Sequence, residues 1–209
     1  MPERPYDFLT RAGGGLLLVL PLLALAALIF LDVARHTDAA VARIPVSDPS
    51  HVLPVRVVRD VLALAAVDTP GLSDRLARSL PLPLHVGPHY RLAPYAAPGI
   101  LEWRFTRSEI SNFYLRGASI IQPTGFRTIG FYKGARSCFG VSPDSLTTGE
   151  TAMLCRLSVT PVFPHPDTLL LDRDVALEKL RTIGHLPSPD LESELNRPLA
   201  LAPDHIPIW

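Results

Sequence analysis

Apolar positions recur along this chain at helical spacing, and the first block is apolar on every side. From Ala12 to Leu31 twenty residues pass without a charge, AGGGLLLVLPLLALAALIFL. At about 1.5 Å per residue the run matches a hydrocarbon layer of roughly 30 Å, which predicts a transmembrane anchor over 12–34. Pro21 is tolerable there, because a spanning helix re-satisfies one freed carbonyl locally. The competing reading is a cleaved secretory signal with Ala40-Val41-Ala42 as its small-residue site. The run is longer than a signal core, however, and that site lies well beyond its end. On this reading 1–11 is a short inner tail, 35–50 a polar linker with Pro45 and Pro49, and the rest an exported body.

The next periodic stretch, Val52 to Val67, predicts a helix with Val58, Leu62 and Ala65 on its buried stripe and Arg56, Arg59 and Asp60 on its wet side. Pro54 fits only near its start. From Thr69 to Gly99 six prolines interrupt every window, leaving room for one short helix over Leu72–Leu80 in otherwise irregular chain. Regularity returns over Leu101–Arg116, where Thr106 and Glu109 have capping-box spacing and Ile110, Phe113 and Tyr114 make an apolar face. A second helix is expected near Ile129–Phe139, closed by Gly140. A third is capped by Thr147 or Thr148, a fourth runs over Asp172–Ile183 and a short fifth over Ser188–Asn196. No run alternates convincingly, so the class is mainly α.

Composition narrows the function classes. Twenty basic side chains balance twenty acidic ones, so no chain-wide field draws the protein to nucleic acid. Cys138 and Cys155 are too few and too far apart for a zinc site and read as packed apolar residues, with one bridge conceivable in an oxidising compartment. His85 and His89 have metal-like spacing but no third ligand, and no metal site is read there. Leu101–Gly140 is locally basic, carrying Arg104, Arg107, Arg116, Arg127, Lys133 and Arg136 against Glu102 and Glu109. Such a patch suits phosphate or anionic headgroups.

Several motifs then agree in register. Leu101, Glu102, Thr106, Arg107, Glu109, Ile110, Tyr114 and Leu115 follow one pattern, with Arg107 replacing a lysine. Gly130, Ala135, Phe139, Gly140, Leu146, Thr147, Glu150, Ala152 and Leu154 follow the next. Pro161 and Pro166, and then Arg173 to Leu199 with Gly184 and Pro198, continue the series. Together they resemble the C-terminal half of the glycosyltransferase family 51 domain, the peptidoglycan transglycosylase of cell-wall synthases. The resemblance covers about half of the chain.

That resemblance implies an N-terminal transmembrane helix followed by a truncated, lysozyme-like all-α domain over 51–200, with a tail at 201–209. It implies a single-pass protein of the bacterial inner membrane with its main domain periplasmic. The family's two catalytic glutamates fall on Val67 and Pro94, and its donor-binding loop has no counterpart over 51–99. An isopropyl group accepts no proton at any pH. No catalytic position is therefore intact, and the substitutes are Asp68, Glu102 and Glu109. Arg107, Glu109, Tyr114 and Lys133 are the expected substrate-binding residues. The expected function is that of a non-catalytic transglycosylase-like protein of cell-wall biogenesis. Two alternatives stand beside it: an active divergent transglycosylase, which would need a divalent cation, and a tethered scaffold for an envelope synthase. Expected partners are the inner membrane, lipid II or a glycan strand, and a cell-wall synthase, with no other cofactor.

Overall fold

The computed structural model describes residues 6–44, 53–67, 71–80, 93–198 and 200–202, with side chains from Pro21 onward. It is mainly helical. The helices are α1 (Tyr6–Ala42), α2 (Val55–Val67), α3 (Leu72–Ser79), α4 (Ala93–Arg104), α5 (Arg107–Gly117), α6 (Phe131–Phe139), α7 (Thr148–Leu157), α8 (Pro166–Thr182) and α9 (Ser188–Leu195).

The N-terminal expectation is corrected. Among the described residues no helix is long and apolar enough to cross a membrane. This overturns both the anchor over 12–34 and the single-pass inner-membrane placement of a periplasmic domain. The physical reason lies beyond Leu31. The helix continues through Asp32, Arg35, His36 and Asp38 to Ala42, so residues expected in a linker are its last turns. Those turns pack on protein: Val33 and Ala34 are buried with Ala93 and Ile100 of α4, while Ala40 and Val41 join the main core. Arg104 clamps the contact through Asp38 at 2.7 Å. Leu22, Leu23, Leu25, Leu28 and Leu31, one stretch earlier, remain exposed.

Local capping signals set the central helices. Thr106 and Glu109 form a reciprocal capping box at the start of α5, and Thr147 and Glu150 form another on α7. Each satisfies donors that the first helical turn leaves without partners. Gly140 ends α6 in the left-handed conformation at φ 70°. Between α5 and α6 the chain makes a hairpin that sequence alternation did not reveal, β1 (Ser119–Ile121) against antiparallel β2 (Arg127–Ile129), with Ile120 opposite Thr128. Three-residue strands are too short to show a period of two.

Helices α4 and α8 differ from expectation. The stretch from Thr69 to Gly99 was expected to be irregular beyond Leu80, yet α4 starts at Ala93 and carries Pro98 inside it. Pro98 leaves the carbonyl of Pro94 without its helical donor, and Pro94 is exposed, so water can take that role. Within the regular run Leu101–Arg116, Thr106 caps α5 as its spacing predicts, while Leu101–Arg104 belong to the preceding helix α4. Helix α8 begins six residues early, with Pro166 in its first turn.

One core gathers these elements. Tyr114, Phe131, Leu76, Leu101, Leu154, Leu157, Leu177 and Leu180 are fully or almost fully buried in it. Cys138 and Cys155 are both buried and form no disulfide, which matches their reading as packing residues. Within this frame α3 packs on α4 and α5, and α2 packs on α7 and α8. The two ends of α2 consequently border different grooves.

Candidate functional site

The groove at the C-terminal end of α2 is bounded by Ala65, by Gly71 to Asp74 at the start of α3, and by Glu102, Phe105, Arg107 and Ile110. It encloses about 400 Å³ and opens to solvent. Phe105 forms an apolar part of the wall and meets Phe113 edge to face, with ring centroids 5.2 Å apart. The polar wall is better defined. Ser73 is buried, and its hydroxyl donates to Glu102 Oε1 at 2.6 Å, fixing the carboxylate across the helix pair α3/α4. Asp74 stands one residue on, in the first turn of α3. Arg107, in the first turn of α5, is exposed and makes no side-chain hydrogen bond or ion pair among the described residues.

This groove brings together two of the expected site residues, Glu102 and Arg107, and separates the others. Glu109 is committed to its helix cap: Oε2 accepts from the Thr106 backbone N–H and from the Thr106 hydroxyl, both at 2.8 Å. The backbone bond first, and the hydroxyl second, pull its carboxyl below the ordinary glutamate range. Tyr114 is no substrate platform. It is fully buried, its hydroxyl lies 2.6 Å from Ser158 Oγ, and burial pushes its phenol far upward. Lys133 is exposed on α6, one hairpin away in sequence from α5. Asp68, His85 and His89 lie outside the described residues.

The basic patch does not converge on one point. Arg104 is paired with Asp38, and Arg127 donates to the carbonyls of Ser119 and Thr160. Arg136 lies over the Tyr132 ring at 5.2 Å. Arg107 is thus the member of the patch that lines the groove. Among the described residues no group of three or more His, Cys, Asp or Glu gathers to hold a metal ion.

Val67 is the last residue of α2, half-buried, and Pro94 is exposed in the first turn of α4. Neither side chain accepts or donates a proton. The chemistry open to the groove is set by the groups it holds. Glu102 and Asp74 accept hydrogen bonds from hydroxyl or amide groups, Arg107 offers forked donors to an anion, and Phe105 gives an apolar wall.

Sequence reasoning missed Ser73 and Asp74. Their only local signal was their place in the first turn of the short helix over Leu72–Leu80, where small polar and acidic residues usually serve the helix end. It also placed Asp60 on the wet face of α2, whereas Asp60 is 2% exposed. Compared with known proteins, the chain matches no family model and no curated protein sequence.

Proposed function

We propose that this protein is a relative of the family 51 peptidoglycan glycosyltransferases, belongs to cell-wall biogenesis, does not polymerise glycan, and uses the Glu102–Arg107 groove to hold a glycan strand. The observation that carries the reading is the chemistry at Val67 and Pro94. The two positions that the resemblance assigns to proton transfer hold a hydrocarbon and an imino-acid ring. The groove between the end of α2 and α3, α4 and α5 keeps polar acceptors on α3 and α4 and a guanidinium on α5 that no described residue engages. Sugar hydroxyls suit the carboxylates, and the anionic groups of a cell-wall glycan suit Arg107.

A second reading has one observation in its favour. Glu102 faces the same groove as Arg107, with Asp74 beside it, as an active enzyme with relocated carboxylates would require. One experiment decides between them: the purified full-length protein is given labelled lipid II, with and without a divalent cation, beside an active family member. The same preparation is tested for retention of polymerised glycan strands. The non-catalytic reading expects no polymer, and strand binding that weakens in Glu102→Gln and Arg107→Gln. Polymer that disappears in Glu102→Ala would establish the enzyme instead. A folded sample that neither polymerises nor retains strands would remove both.

A further inference from the structure

The other end of α2 borders a second groove, of about 490 Å³, that shares no lining residue with the Glu102–Arg107 groove. Arg56, Arg59 and Asp60 of α2 line it together with Thr148 of α7, His185 and Pro187 of the α8–α9 turn, and Asp190, Ser193 and Glu194 of α9. Asp60 is its buried anchor. One carboxylate oxygen meets His185 Nε2 at 2.8 Å, and the other accepts from the Thr148 hydroxyl at 3.0 Å. These two bonds orient the imidazole and tie three segments to one point.

The two walls differ in charge. Arg56 and Arg59 are one helical turn apart, so their Cβ atoms are neighbours on a single face of α2. Both are exposed, and neither has an ion-pair or hydrogen-bond partner among the described residues. Three helices also begin at this groove: Arg56 is the second residue of α2, Thr148 is the first of α7, and Pro187 caps α9. Their N-terminal ends add partial positive charge. On the opposite wall, Glu194 is spent in part on the Gly149 backbone N–H at 3.0 Å, at the start of α7. Asp190 has no partner among the described residues and stands beside Ser193.

We infer that this groove is a binding site for a small phosphomonoester whose far end carries hydrogen-bond donors. The phosphate oxygens take forked bonds from Arg56 and Arg59, because two adjacent guanidiniums match a tetrahedral dianion better than they match a single carboxylate. The hydroxyl or ammonium groups at the other end meet Asp190 and Ser193. His185, held by Asp60, forms the floor between the two poles. The groove's volume leaves room for a ligand longer than phosphate itself.

The test is calorimetric titration of the full-length protein with inorganic phosphate, glycerol 3-phosphate and phosphoethanolamine, with the ring nitrogens of His185 followed by NMR in parallel. The last two probes separate a hydroxyl donor from an ammonium donor. All three are expected to bind, the esters more tightly than phosphate, with the His185 signals shifting on binding. Arg56→Gln and Arg59→Gln each weaken binding by about tenfold. Asp190→Asn narrows the gap between the esters and phosphate, and Arg136→Gln, on α6, changes nothing. Both arginines are exposed, so circular dichroism of R56Q/R59Q is expected to match that of the parent protein. Absence of binding by all three probes, or equal binding to R56Q/R59Q, overturns the site. Equal affinity for the three probes overturns the role of Asp190.

Discussion

Asp60 Oδ1 and His185 Nε2 lie 2.8 Å apart although 125 residues separate them in sequence. The contact pins the turn after α8 to the first half of α2, and Thr148 occupies the carboxylate's other oxygen. Asp60 is 2% exposed, so truncating it strands a hydroxyl and an imidazole N–H in a place water reaches poorly. Asp60→Ala is expected to lower stability by about 1–3 kcal/mol. In urea the midpoint falls while the slope stays constant. A double-mutant cycle with His185→Gln then gives a coupling of about 0.5–3 kcal/mol. Purely additive single effects would mean that the contact carries no energy of its own.

A pH effect arises at the α5 cap. Glu109 has its carboxyl lowered from 4.5 by the Thr106 backbone N–H and hydroxyl. A carboxyl depressed in the folded state contributes stability that is complete above its unfolded value and lost as pH falls through its folded value. The cap therefore holds at neutral pH and releases only below 4.5. NMR titration of the Glu109 carboxyl is expected to show a midpoint below that of an unfolded peptide. In Thr106→Ala the hydroxyl bond is lost, and the midpoint is expected to move upward. A Glu109 midpoint that ignores the substitution would contradict the box.

The capping box of α5 was legible in the sequence because Thr106 and Glu109 are three residues apart and no distant contact has to be known. For α7 the sequence left Thr147 and Thr148 open as caps, and the structure pairs Thr147 with Glu150. The face of α2 was not legible. VRVVRDVLALAAV is apolar almost all round, so stripes through Val58, Leu62 and Ala65 or through Val57, Val61 and Leu64 satisfy the same period. Packing against α7 and α8 selects the second and carries Asp60 inside with it. The first block shows the same limit. Its apolarity is local, while the packing of Val33, Ala34, Ala40 and Val41 depends on partners far along the chain. Of the groove by α3, Glu102 and Arg107 were visible through the resemblance, but Ser73 gained its role only when α3 met α4.

The cysteines are expected to be silent in the folded protein. Burial pushes the Cys138 thiol up to about 12, and its Sγ points at the Ile121 carbonyl at 3.8 Å. The thiolate is the reactive form, so a buried thiol so far above its ordinary value reacts slowly at pH 8. The sign for stability is the reverse of the Glu109 case. A thiol raised from 9.0 contributes stability that is complete below 9.0 and lost as pH rises toward about 12. Labelling with a chromogenic disulfide reagent at pH 8 is expected to be slow for both cysteines and complete in denaturant. Rapid native labelling of Cys138 would contradict its burial between α6 and β1.

Gly134 offers the sharpest packing test. A Cβ built there lies 2.5 Å from Ile120 Cδ1, where α6 crosses the hairpin strand β1. The intruded atom is the tip of a side chain, but Ile120 is fully buried and has little space into which to turn. Helix propensity alone favours Ala over Gly in a helix by about 1 kcal/mol. Overpacking of a buried contact costs about 1–3 kcal/mol, so the clash outweighs the gain and Gly134→Ala is expected to destabilise. Removing the offending methyl reverses the sign of the coupling. Ile120→Val costs about 0.5–1.5 kcal/mol alone, yet in the Gly134→Ala background it is expected to restore stability. Unfolding midpoints of the two single variants and the double variant decide the matter. If Ile120→Val is equally costly in both backgrounds, the approach of α6 to β1 is wider than the 2.5 Å contact implies.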